Sequence, residues 1–74
     1  MDAEYLVEMA NDICAFFASA NPPAKAASEG AGHMRRQWEP RMRKQIVEIW
    51  RNDPHALTDV ARAAVAILAE QAAA

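Results

Sequence analysis

Three side chains in this 74-residue chain have the chemistry to react or to bind metal: Cys14, His33 and His55. A thiol beside an imidazole makes an activated nucleophile, and thiol, imidazole and carboxylates at short spacing make a metal site. The spacing here supports neither. The two histidines are far apart in sequence, and neither is spaced with Cys14 or with carboxylates as a ligand set would be. Cys14 has no second cysteine, so there is no intramolecular disulfide and no zinc-finger pair. A Walker phosphate loop, GxSxG and HExxH are all missing. Cys14 follows Ile13 on an apolar stripe, where a small buried thiol is expected rather than a nucleophile. His33 is expected either as an ordinary polar or capping residue or as part of an interface, and His55 as a surface or turn residue. The chain is therefore expected to be no enzyme by itself, with no catalytic, cofactor-binding or metal-binding residue.

What stands out instead is charge. Five of the eight basic residues, Arg35, Arg36, Arg41, Arg43 and Lys44, fall in one short segment around Trp38, opposed there only by Glu39. Meanwhile Asp2, Glu4, Glu8 and Asp12 make the N-terminal segment acidic, so a net charge of −2 hides a strongly dipolar molecule. Arginine and tryptophan are enriched at interface hot spots. Two readings follow. The arginines could be a solvated face with Trp38 closing a small core, or His33, Arg35, Arg36, Trp38, Arg41 and Arg43 could form a partner-binding surface. Lysine is the commoner filler of plain solvated surface, which favours the second. Nucleic acid fits poorly, because the chain is acidic overall and the helix after the basic turn has few side chains that read base edges. A membrane-surface helix fits less well still, since the apolar faces are needed for the core.

The elements that must position this segment are helices. Leu6, Met9, Ala10, Ile13, Phe16 and Phe17 recur at spacings of three and four, predicting a helix over Asp2–Ala18 with a broad apolar face to be covered. Asn21-Pro22-Pro23 ends it. A second helix is expected from about Ala24 to Trp38, with Ala27, Gly30 or Ala31, Met34 and Trp38 facing inward. Gly30 and Gly32 imply either close approach of backbone to the first helix or a late start near Gly32. Pro40 begins a third helix, to Arg51, with Met42, Ile46, Ile49 and Trp50 on one face. Asp53 is placed to cap a helical turn at Pro54, and Thr58 to cap a last helix carrying Leu57, Val60, Ala61, Ala64, Ile67 and Leu68. The alanines at 72–74 are expected to fray. The fold class is all-α: one domain over residues 1–74, a bundle of three to four short helices with largely local contacts between antiparallel neighbours.

A chain this short has little core to spare. Hydrophobic residues make up 53%, but much of that is alanine, which buries little area. Without a disulfide or a metal, a protein partner is the economical source of extra stability. No apolar run reaches the roughly 20 residues that span a bilayer, the acidic N-terminus does not look like a signal peptide, and a lone thiol suits a reducing compartment. The expected location is the cytoplasm.

Several tracts together carry a family resemblance. They are Met9-Ala10-Asn11 with Ile13 and Ala15-Phe16-Phe17, then His33-Met34-Arg35-Arg36, then Trp38-Glu39-Pro40-Arg41-Met42-Arg43, and Leu57-Thr58 opening an alanine-rich helix. In these the sequence resembles the delta subunit of NAD-dependent, molybdenum-containing formate dehydrogenase. Gln37 departs from the pattern, which often has an aromatic residue there, and the departure bears on how the local apolar cluster packs. The resemblance implies a small cytoplasmic subunit without redox cofactors. Its partners would be the large molybdenum-cofactor subunit and the subunits carrying iron–sulfur clusters and FMN. Its role would be to assemble or stabilise the active complex. Two alternatives are a maturation chaperone that aids molybdenum-cofactor insertion and then leaves, and a free-standing regulatory or nucleic-acid-binding module. Self-association is left open.

Overall fold

Each helix boundary is set by a residue that cannot continue a helix or that satisfies its end. A computed structural model describes residues 2–73. Helix α1 runs Ala3–Ala18, and the Asp2 carboxylate accepts from the Glu4 amide at 3.0 Å. At its far end the Ser19 hydroxyl donates to Phe16 O (2.7 Å) and the Asn21 amide to Phe17 O (2.9 Å), satisfying carbonyls the helix leaves open. Helix α2, Pro23–Gln37, starts on proline and passes straight through both glycines, so the late start near Gly32 does not occur. Trp38 and Glu39 are extended, Glu39 because it directly precedes Pro40, and α3 runs Pro40–Asn52. A single 3₁₀ turn, Pro54–Ala56, leads into α4, Asp59–Ala73. Thr58 caps α4 through its hydroxyl oxygen, which accepts from Ala61 N at 3.3 Å. Asp53 does not cap with its carboxylate; its main-chain carbonyl accepts from Ala56 N at 3.2 Å instead. Ala72, expected to fray, lies within α4, whose helical span includes Ala73, while Ala74 falls outside the described residues.

The inward face of α1 is Leu6, Ala10 and Cys14, successive turns on one line. Met9, Ile13 and Phe17 flank it. Phe16, expected on the covered stripe, is 72% exposed. Two residues past Cys14 is roughly 200° around a helix, which turns Phe16 away from that line. On α3 the buried pair is Ile46 and Val47, with Met42, Ile49 and Trp50 packed at the margin. On α4 the stripe is Ala61, Ala64, Val65, Leu68 and Ala69, while Val60 and Ile67 are only partly covered.

Contacts are less local than the sequence implies. The most extensive pairing is α2 with α4, then α2 with α1, whereas consecutive α2 and α3 scarcely touch. The two extended residues at their junction carry α3 away from α2 and onto α4. Asn11 of α1 ties the α3–α4 connection down: its amide donates to Ala56 O (3.3 Å) and its carbonyl accepts from Thr58 N (2.9 Å).

Gly30 lies where α1, α2 and α4 meet. A β-carbon there would sit 2.9 Å from Cys14 Sγ and 3.7 Å from Ala64 Cβ, so only hydrogen fits without a shift. At Gly32 the nearest atom is the end of the flexible Arg36 side chain, 3.1 Å away. Chemical denaturation should separate the two. Gly32→Ala is expected to gain up to about 1 kcal/mol from helix propensity. Gly30→Ala should lose about 1–3 kcal/mol to overpacking despite the same gain. In a Cys14→Ala background that loss should shrink, because the clashing sulfur is gone.

Candidate protein-docking surface

The basic residues flank the α2–α3 corner, and the two helix ends treat them oppositely. Arg35 and Arg36 sit in the last turn of α2, where the negative end of the helix dipole favours cations. Arg41, Arg43 and Lys44 follow Pro40 in the first turns of α3, whose first turn holds no acidic residue. There the dipole is positive, and each nearby cation is disfavoured by about 0.3–1 kcal/mol.

Arg43 offsets this by a structural task. Its Nη1 donates to Arg35 O at 2.6 Å and to Trp38 O at 2.9 Å, closing carbonyls left open at the end of α2. Arg41 and Lys44 make no ion pair or hydrogen bond among the described residues, and both are exposed, as are Arg35 and Arg36.

The other two residues grouped with the arginines by sequence lie elsewhere. Trp38 is 5% exposed and belongs to the core, so its ring anchors the corner from within instead of facing outward. His33 is half-buried at the α1–α2 seam, its ring edge-on to Phe17 (centroids 6.1 Å apart, planes at 60°). Phe17 in turn meets Phe16 at 5.3 Å. The exposed surface at the corner is therefore Arg35, Arg36 and Arg41, with Arg43 half-buried beneath. Gln37 is exposed, so its departure from the family pattern leaves the core untouched.

Lys44 and Arg51 belong with this surface; sequence counted Lys44 in the basic run but left both out of the partner-binding set. The signal was available: positions 44, 48 and 51 are spaced four and three apart, which places them on one face of α3. Asn11 was missed too, since nothing local marks a polar residue that serves a segment 45 to 47 positions away.

Among the described residues no three His, Cys, Asp or Glu side chains are grouped to hold a metal ion. An iron–sulfur cluster takes about four cysteine thiolates, and this chain has one cysteine. Cys14 is fully buried, and burial pushes its thiol up to about 11 from an ordinary 9.0. No helix among the described residues is long and apolar enough to cross a membrane.

Two measurements follow. Arg43→Ala should destabilise the free chain by roughly 1–2 kcal/mol, because it strands carbonyls that a charged donor now satisfies. Arg41→Ala should stay within about 0.5 kcal/mol. Comparing the two urea midpoints tests this, and equal midpoints would remove the capping role. For Cys14, Ellman's reagent at pH 8 should leave the folded thiol unmodified and react in full once urea unfolds the chain. The linkage sign is fixed: the folded state keeps its proton where the unfolded state loses it. Stability from this group is thus present below about pH 9 and lost as pH rises toward about 11. Cys14→Ala should lack that alkaline loss.

Comparison with known proteins places this arrangement. A family model described as NADH-dependent formate dehydrogenase delta subunit FdsD matches residues 5–65, which take in α1, α2, α3 and the start of α4. Neither a curated protein nor a solved structure matched. With most of its length covered by that model, the chain belongs to the NADH-dependent formate dehydrogenase delta subunit family.

Proposed function

We propose that this chain is a non-catalytic accessory subunit of a cytoplasmic, NAD-dependent, molybdenum-containing formate dehydrogenase. It docks on the large molybdenum-cofactor subunit through the basic α2–α3 corner, and so assembles or stabilises the complex. Molybdenum cofactor, iron–sulfur clusters and FMN reside in the other subunits.

The observation that carries this reading is the charge at the start of α3. Cations placed against a helix dipole lower the stability of the free chain, and among the described residues Arg41 and Lys44 gain no partner. Local rules broken without internal compensation are typical of functional surfaces. Arginine forks pair with carboxylates and carbonyls in geometries that lysine does not reproduce. Trp38 supports the surface indirectly, by fixing the corner from the core side.

The test is co-expression with the other subunits and purification through a tag on the large one. This chain should be recovered in fixed stoichiometry with active, cofactor-loaded enzyme. Purified alone, it should carry no stoichiometric molybdenum, iron or flavin and oxidise no formate. Arg36→Ala and Arg41→Ala should leave its circular dichroism unchanged. Truncating an arginine that becomes buried at the interface should weaken retention by about 2–5 kcal/mol. Full retention of both folded variants would reduce the corner to a solvated face. Capture of only the cofactor-free large subunit would make the chain a maturation chaperone.

A further inference from the structure

Beside the corner lies a feature the docking reading does not use. A groove of about 490 Å³ runs between α3 and the C-terminal half of α4, with Val47 and Leu68 in its floor. Arg35, Arg43, Lys44 and Arg51 rim it. Among the described residues that line it, the single carboxylate, Glu48, is already engaged with Arg51 at 3.2 Å. Four cations thus surround an apolar floor in a chain whose overall charge is −2.

That combination selects for chemistry. Phosphate-rich polymers are held by cations that follow the backbone and draw nothing from an apolar floor. A trough walled by two helices and floored by aliphatic side chains suits the apolar stripe of an amphipathic helix. The cationic rim calls for carboxylates flanking that stripe, since complementary rims set register and steer encounter. The volume, within the roughly 300–1,000 Å³ of ligand pockets, is enough for a few side chains and not for a whole domain. The chain's own α1 also carries acids, Glu4, Glu8 and Asp12, on exposed positions. Yet α1 of a second copy in this groove would make a head-to-tail contact that need not close.

We infer that the α3–α4 groove is the seat of an acidic amphipathic helix supplied by another subunit of the complex, with Arg35, Arg43, Lys44 and Arg51 pairing its carboxylates. The inference rests on the accessory-subunit reading and specifies what the partner presents. In the co-expressed complex, a carbodiimide should join the Lys44 amine to a carboxylate it touches. Mass spectrometry should find that carboxylate in another subunit, on a stretch with apolar residues three and four apart. Lys44→Arg should abolish the link. Lys44→Glu combined with Arg51→Glu alters two exposed positions and should keep the chain helical while lowering retention at least tenfold. Lys25→Glu, an equal charge reversal at the start of α2, should change retention less than twofold. If the double reversal unfolds the chain, the cross-link in the unaltered protein decides alone. Unchanged retention of the folded double variant overturns the inference, as does a Lys44 link found only to a second copy or not found at all. If the unaltered chain is not retained by the other subunits, the accessory-subunit reading fails and takes this inference with it. Retention that groove variants do not disturb removes the inference alone.

Discussion

The structure depends on how closely three helices can approach at Gly30. With Cys14 on one side and Ala64 on the other, the missing β-carbon lets α1, α2 and α4 share one junction. The rest of the core follows the same economy. Ala10, Ala26, Ala27, Ala31, Ala61 and Ala64 are all fully or almost fully buried, and only a handful of large side chains, Leu6, Met34, Ile46 and Leu57 among them, fill what remains. Alanine buries little area, but small residues bring backbones together and raise packing density. This is how a chain rich in alanine, with a single cysteine, closes a core without an intramolecular disulfide. It also explains why α2, lined by small residues, packs so extensively on α4 and α1.

At the α2–α3 corner the demands of folding and of charge diverge. Trp38 turns inward and the extended Trp38-Glu39 step sends α3 across α4. The same step places the start of α3, with its cations, close to the end of α2. One of those cations is absorbed by the fold, since Arg43 closes two open carbonyls. The others are not. Within a single basic run one arginine is structural, while Arg41 and Lys44 make no hydrogen bond or ion pair among the described residues.

Pro40 and Pro54 were legible in the sequence as starts, of a helix and of a helical turn. Pro23, read as ending the first helix, also opens α2, one residue before the expected Ala24. The capping role of Thr58 is local and equally visible; Asp2, expected inside the first helix, caps it instead, and Asp53 had the right residue type but turned its carbonyl to the task. Facing was harder. Spacings of three and four admit Phe16 to the α1 stripe as readily as Cys14, and only the packed neighbours decide which side is covered. The α2–α4 pairing joins elements that are not consecutive, so no local signal announces it. The basic segment itself was plain. Its spatial partition was not, because adjacency in sequence put Trp38 and His33 beside arginines from which the helix turn and the core separate them. Arg51, which lies outside the basic segment in sequence, needed the opposite correction, since it lines one groove with Arg43 and Lys44.

Arg43 has one more consequence, which concerns the order of its side chain. A free arginine samples many rotamers, and ordering it on contact with an anion costs about 0.5–1.5 kcal/mol. Two backbone carbonyls already hold the Arg43 guanidinium in the folded chain. Its remaining N–H groups are therefore presented in one orientation, set by the geometry of the helix end itself. An anion arriving there meets a donor already held in place. The same corner also carries the exposed Arg35, Arg36 and Arg41, whose side chains make no hydrogen bond or ion pair among the described residues. Such a pairing of one preorganised donor with several adaptable ones gives directionality first and fits the details afterwards.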